Sequence, residues 1–415
     1  MMLDGTYTGY FVSTVTGTAD AKIYIKPQNY MAAVIDGSLQ IDGEYTRLRN
    51  IRCTNSDINR GTSETPQGTI SRPPNIYPTA PNVEIINVMY DNGGGGVLAY
   101  NDANGLVLYG DIGFNNGWAD DTLGGAQNLY IHSLNKTVKH CIFGGAFKKS
   151  VAVYTTNGTI ENITLEENVV FARGTFLVGG NHGVTDGPIV NGNHILCNLF
   201  EGGYVYDPNG ALTFTNNHVY ALGRSYYIKY FTDLILTGNK FVAVGSEEVW
   251  TPFAIAYPGA DINNVNSYVL EDNEYHYTGA VQPFNDGSFA QWQALGYDLD
   301  SSYSTDLPSV NEIFVYPNEY PDADDKRMGI IVIWNWAGDN TVAVDLTDLG
   351  LEVGTTYRWR QAQDPLVDID TWVCAGNSFT FTMTGHTVAK PIGFDEELIP
   401  TQFPTFGCFI IEKVV

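Results

Sequence analysis

Positive charge is scarce in this chain. Lysine and arginine number 21 against 46 aspartates and glutamates, for a net charge of −25. That sum repels phosphate backbones and excludes nucleic acid as an expected partner. It argues more mildly against a polyanionic glycan, unless cations bridge the charges. No apolar run is long enough to cross a membrane, so no membrane insertion is expected. The segment Met1-Met-Leu-Asp-Gly-Thr-Tyr-Thr-Gly9 has neither a basic nor an apolar region, and no secretory leader is legible. Cysteine is sparse, odd in number (5) and widely spaced, which gives neither a disulfide framework nor a zinc motif. Cys141 and Cys197 sit in apolar phrases and are expected as core thiols; Cys374 and Cys408 are left open as a pair. Helical periodicity is missing, as are a P-loop, a dinucleotide-binding glycine signature, a nucleophile elbow and a His/Cys metal motif.

What the chain does have is glycine (44) and tyrosine (26), with much Asn, Asp, Val, Ile and Thr. The first group supplies turns and the second suits strands. A short phrase recurs: a polar residue, two mostly apolar ones, then a bulky one. It starts at Asn87, Asp111, His140, Asn168, Cys197, Asn217, Asn239 and Asn273, in steps of 24, 29, 28, 29, 20, 22 and 34 residues. A period in the twenties with short strands means a solenoid whose repeats bury their apolar faces only against one another. Strands such as Val83–Tyr90 and Gly96–Tyr100 alternate apolar with polar residues. Asn168, Asn217 and Asn239 recur at one point of the coil and predict a stacked amide ladder.

Excursions interrupt the repeats at 55–81, which holds five prolines, and at 113–125, 176–188 and 247–266. The register ends near 280, where Phe289–Gly296 reads as a short helical turn. Separate strands joined by hairpin-like turns follow from Glu312 to Ile411, an antiparallel sandwich of about 100 residues. The expectation is two all-β domains, 1–300 and 301–415.

This layout resembles right-handed parallel β-helix proteins of the pectate-lyase type, in particular a bacterial group with a C-terminal β-sandwich. The carriers are Gly17–Ile25 with Val34-Ile-Asp-Gly37, Phe114-Asn-Asn-Gly-Trp118, Leu165–Phe171, Phe314–Tyr320 with Ile331–Trp336, and Phe406-Gly-Cys-Phe409. They cover most of the chain and imply architecture more than activity, since the fold hosts lyases, hydrolases, epimerases and tailspikes. Such relatives often carry a His-rich turn before a Tyr-x-Gln-Asn strand. Here Gly124–Ser133 keeps Tyr130, but no histidine precedes it, so that chemistry is expected to be lost.

Cleaving a uronate polymer by β-elimination needs a base and a cation to neutralise the carboxylate. The candidate bases are His132, His140, Lys148, Lys149, Arg173, His182, Arg224 and Lys229. His140 reads as a ladder residue, and Lys148 and Lys149 as a solvated tip. Arg173, His182 and Asp186 flank one excursion and form the candidate catalytic group. A hydrolase needs two facing carboxyls. Asp120 and Asp121 are adjacent and point apart on a regular strand; a shared Ca²⁺ is the role left to them. Trp118, Tyr130, His132, Tyr204, Tyr226 and Trp250 are candidate substrate-binding residues, with Tyr206 and Tyr227 as further aromatics. The expected function is a glycan-facing β-helix of a virion or other extracellular assembly, tailspike- or fibre-like, binding surface polysaccharide; catalysis is left open, and a homotrimer is a candidate assembly. The alternative is a polysaccharide lyase or glycosidase, and a third reading is a decoration protein with no glycan role.

Overall fold

A computed structural model describes the chain except residues 62–71, 120–126, 157, 172–174, 181–183, 198, 204–208, 246–250, 258–264, 280, 281, 286, 321–324, 368 and 415. Short parallel strands climb as three walls of a tube. Wall one runs Arg52–Thr54, Met89–Asp91, Ile112–Phe114, Ile142–Phe143, Val169–Phe171, His194–Cys197, His218–Leu222, Lys240–Val244, Glu274–Tyr277 and Ser302–Ser304. Wall two runs Ile76–Pro78, Val97–Ala99, Gln127–Ile131, Lys149–Val153, Thr175–Val178, Leu199–Gly202, Tyr226–Lys229 and Phe253–Ala256. Wall three begins at Ile23–Ile25 and ends at Ser267–Glu271. Gly5–Ser13 and Ala33–Ile41 each span walls one and two. Ile76–Pro78 is thus a rung, although it falls within the expected 55–81 insertion.

Each wall buries one face because its side chains alternate. On wall three the inward column is Ile85, Leu108, Val138, Leu165, Val190, Phe214, Leu236 and Leu270, all buried. Cys141 and Cys197 lie in this core, and all five cysteines are free. The expected strand Val83–Tyr90 is broken in two at Asn87 by a left-handed backbone, φ 53°. The same left-handed corner recurs at Gly110, His140, Glu167, Gly192, Asn216, Gly238 and Asp272. The residue that follows it is the ladder position. His140 is therefore a corner residue, one place before the ladder.

The amide ladder is real and longer than the sequence indicated. Asn168 donates its backbone and side-chain N–H to Asn193 Oδ1, and the pattern repeats through Asn217, Asn239 and Asn273 at 2.9–3.1 Å. Each amide also donates to a wall-three carbonyl of the coil below, as Asn217 does to Val190. Asp111 holds the same position two coils earlier. Its Oδ1 accepts from Val88 N–H, but its Oδ2 has no hydrogen-bond partner among the described residues. Burial pushes this carboxyl well above the usual carboxylate range. A raised folded pKa means that its stabilising state is present in acid and lost as pH rises. Asp111→Asn should therefore stabilise the protein by about 1–2 kcal/mol at neutral pH, with a gain that shrinks toward about pH 4. Denaturant unfolding at both pH values checks this; an equal effect at both would exclude titration of Asp111 as the cause.

The far end of the tube is plugged. Phe284, Trp292 and the part-buried Phe289, Tyr297 and Tyr303 close the core, and helix Phe289–Gln293 starts with a Ser288–Gln291 capping box. Beyond it the pairing turns antiparallel. Five strands, ordered Glu312–Pro317, Arg327–Trp334, Phe406–Lys413, Thr356–Gln361 and Asp370–Val373, face the pair Thr341–Asp345 and Ser378–Thr382. One apolar core lies between these sheets. The other face of the large sheet packs on the outside of wall one: Ile330, Val332, Trp334, Phe406 and Ile410 meet Met89, Ile112, Phe114, Val169 and Phe171.

Candidate functional site on the second wall

Because its own C-terminal domain covers wall one, the tube offers its other walls for binding. Wall two carries the ring-rich surface. Leu129, Ile131, Val97, Ala99, Val151 and Val153 point into the core, so Tyr130 and its register partners Leu98 and Ala152 point out. Tyr100, His132 and Tyr154 follow their strands with the same parity, and His132 N–H to Ala99 O and Tyr154 N–H to Ile131 O extend the ladder through them. Tyr77 is the outward residue one rung earlier.

These five rings form a shelf. Tyr77 and Tyr100 lie 5.8 Å apart and Tyr100 and Tyr130 5.6 Å, both edge to face. Tyr100 stacks on His132 at 5.0 Å, and Tyr154 lies 6.3 Å from Tyr130. All five are half-buried, with a fixed body and a reachable edge. Burial, then the neighbouring Tyr100 and Tyr154, push the Tyr130 hydroxyl up to about 12, so it is a proton donor at neutral pH. Burial, then the Lys136 ammonium, push the His132 ring down, so it stays neutral and able to accept a proton.

Farther along the same wall a charged group replaces the rings. Glu201 and Tyr227 are register partners. Lys229 pairs with Glu201 and sits 4.5 Å from the centre of the Tyr227 ring, while the Arg224 guanidinium lies 4.6 Å from it. Lys149 is half-buried at the start of a strand, where the sequence suggested a solvated tip. Burial pushes its ammonium down, and Glu201 opposes the shift.

The structure places the Tyr130 and His132 rings 6.0 Å apart on this wall. It removes two other candidates. Tyr226 is 1% exposed inside the tube, because its register partner Phe200 is an inward position, and no ligand reaches it. Trp118 is 3% exposed and lies against Arg72. Asp186 is exposed but accepts from Ala211 N–H at 2.8 Å, a backbone role in wall three. Arg173, His182, Asp120, Asp121, Tyr204 and Trp250 lie outside the described residues. Tyr77, Tyr100 and Tyr154 were missed, although tyrosines at 77, 100, 130 and 154 recur with the coil period.

Among the described residues, His140, Glu167 and Glu319 bring ligand atoms within 4.8 Å of one another. His140 already bonds Tyr109 OH (2.9 Å) and Glu167 (2.6 Å), and the Lys139 ammonium lies 3.5 Å from Glu167 and 3.1 Å from Glu319. The positive charge that a cation would supply is in place.

The fold is a parallel β-helix. No family of known proteins matches the sequence, and no curated protein does. Among solved structures it is similar to the A-module of mannuronan C-5 epimerase AlgE6 from Azotobacter vinelandii: 13% identity, TM-score 0.45, covering 73% of this chain and 88% of that one. It is also similar to a mannuronic acid specific polysaccharide family 6 lyase from human gut microbiota, at 15% identity and TM-score 0.40, covering 74% and 85%. The tailspike of E. coli bacteriophage HK620, in complex with a hexasaccharide, aligns at 11% identity and TM-score 0.17 over 99% and 87%. These likenesses concern the fold.

Proposed function

We propose that the protein binds a polysaccharide along the outer surface of wall two, with Tyr77, Tyr100, Tyr130, His132 and Tyr154 as its platform. The carrying observation is the shelf itself. Neighbouring rungs are about 4.8 Å apart, near the length of one sugar unit, so a chain lying along the tube meets a ring at successive residues. Aromatic rings offer sugar faces an apolar plane, and their hydroxyl and imidazole groups give polar contacts beside it. In this proposal the protein belongs to an assembly outside a cell, a virion or a surface fibre, as mass spectrometry of purified particles and culture medium would test.

Tyr100→Ala and Tyr130→Ala should each weaken glycan binding about ten-fold, or about 1.4 kcal/mol, while Tyr24→Ala on wall three leaves it unchanged. A glycan array followed by calorimetry on the best ligand reads this out. Retained affinity in both shelf variants would refute the platform.

A second reading, cleavage by proton abstraction, is favoured by the neutral His132 beside the protonated Tyr130. It requires unsaturated oligosaccharides, seen by ultraviolet absorbance, and their loss in His132→Ala with binding retained. Binding without product on every glycan bound sinks it.

A further inference from the structure

One charge lies inside the tube with nothing to balance it. Lys136 stands on wall three, in the strand Ser133–Lys139, at an inward position. Its register partner Ile163 is 0% exposed, and Leu106 precedes it in the same apolar column. Lys136 itself is 1% exposed. Its Nζ makes one long hydrogen bond, 3.4 Å to Leu134 O, and meets no carboxylate among the described residues. Lysine is almost never buried without a partner, because an apolar interior does not solvate an ammonium. Methionine would fill the position more favourably, so the packing of the column does not account for the lysine.

The neighbouring turn does. Ser133 and Asn135 take left-handed backbone angles, φ 75° and 51°, and swing the chain from wall two into wall three. His132 stands at one end of that turn and Lys136 at the other. The Nζ bends back toward the His132 side to reach Leu134 O. His132 stacks on Tyr100 at 5.0 Å and lies edge to face with Tyr130 at 6.0 Å. Its ring nitrogens hold no hydrogen bond among the described residues, so both are open to a ligand. On the adjoining rungs the ring faces Tyr100 and Tyr154, and on its own strand Tyr130. Of these groups and Lys136, only Lys136 carries charge at neutral pH.

We propose that Lys136 is a positioning residue for the glycan site on wall two. Its ammonium, fixed in the core beneath His132, keeps protons and metal cations off the ring and leaves the imidazole to accept hydrogen bonds from the glycan. The inference rests on the polysaccharide reading above. In a chain of net charge −25, the summed field of the carboxylates draws protons to any exposed histidine. A lysine at the surface would oppose that field poorly, because water and salt would screen it. A core ammonium acts through protein instead, where charges interact more strongly. Burial pushes the Lys136 ammonium down to about 8. It therefore holds its charge throughout the range in which an ordinary histidine takes up a proton.

Lys136→Met tests this, because methionine fills the same inward space without charge. Histidine ring resonances of both proteins are followed by NMR from about pH 5 to about pH 8. His132→Gln identifies the resonance among the 7 histidines. In Lys136→Met, His132 should take up its proton at a higher pH while the other histidines titrate as before. The variant should melt no lower than the wild type, since an unpaired buried charge has gone. The oligosaccharide bound best on the array should bind Lys136→Met about three-fold more weakly at about pH 6 and equally at about pH 8. An unmoved His132 titration, or a variant that melts lower, would overturn the role of Lys136 whatever the glycan does. A moved titration with equal affinities at both pH values would overturn the ring as acceptor. The titration needs no glycan, so it separates failure of Lys136 from failure of the platform, which Tyr100→Ala and Tyr130→Ala report.

Discussion

Asn217→Leu should destabilise the tube by about 4 kcal/mol, as a drop in denaturant midpoint and a local loss of amide protection. The shape of the side chain is nearly kept, so the effect isolates hydrogen bonding. Asn217 Oδ1 accepts from both the backbone N–H and the side-chain amide of Asn193, and its own amide donates to Val190 O and Asn239 Oδ1. Leucine leaves the buried Asn193 backbone N–H without its acceptor and takes the amide donor from the Val190 carbonyl, while the Asn193 side-chain amide keeps Leu165 O and Asn191 O. Each unpaired buried group costs about 1–3 kcal/mol. Propagation up and down the stack follows, because each rung is held only by its neighbours. Ile235→Ala on the exposed side of wall three, 42% exposed, is the comparison and should cost far less. If the two substitutions cost the same, the ladder is ornamental and the aliphatic columns alone hold the coil.

The sequence made this ladder readable because one requirement repeats every coil: a buried acceptor for the next rung's N–H. Asn168, Asn217 and Asn239 were visible for that reason. Asn193 was not, because the phrase starting at Cys197 matched the same pattern while running from the end of wall one into wall two. With Asn193 in place, the uneven steps of 29 and 20 residues become 25 and 24. At Asn87 and His140 the pattern fell one residue early, since the left-handed corner also selects polar residues. Periodicity reports that a coil exists, but two requirements one position apart blur its phase. The shelf was half legible. Tyr130 was singled out as an aromatic and His132 as one of the scarce bases; Tyr77, Tyr100 and Tyr154 are far apart in sequence and meet only through register. Tyr226 was misplaced because alternation alone does not say which parity faces inward. The packing of the sandwich on wall one was invisible, because an apolar outward face and an apolar inward face read alike in a short strand.

That packing carries the other large effect. Trp334→Ala should weaken the attachment of the sandwich to wall one by about 3–5 kcal/mol, the usual cost of deleting a buried indole. Trp334 is 1% exposed, lies against Phe406 at 4.6 Å, and donates its indole N–H to His194 Nδ1 at 3.0 Å. That bond requires His194 to be neutral at Nδ1, which leaves Nε2–H to donate to Tyr316 OH at 2.8 Å. Burial, then the nearby His218, push the His194 pKa well down, and Glu312 opposes the shift. Hydrogen bonds from His218, Lys240 and Trp336 outweigh burial and hold Glu312 at about 2, so it stays ionised throughout the range that matters. A depressed folded pKa means that the stabilising state is complete above the unfolded value and is lost as pH falls below it. The interface should therefore lose stability from about pH 6.5 downward, by at most about 1.4 kcal/mol per pH unit for this one group. Hydrogen exchange of Arg327–Trp334 should accelerate between about pH 7 and about pH 5 beyond its intrinsic dependence. In Trp334→Phe, whose ring fills the space without the indole donor, Nδ1 is free to take a proton, and the acid sensitivity should shrink while part of the packing survives. The same acid slope in that variant would place the proton elsewhere and leave His194 as packing alone.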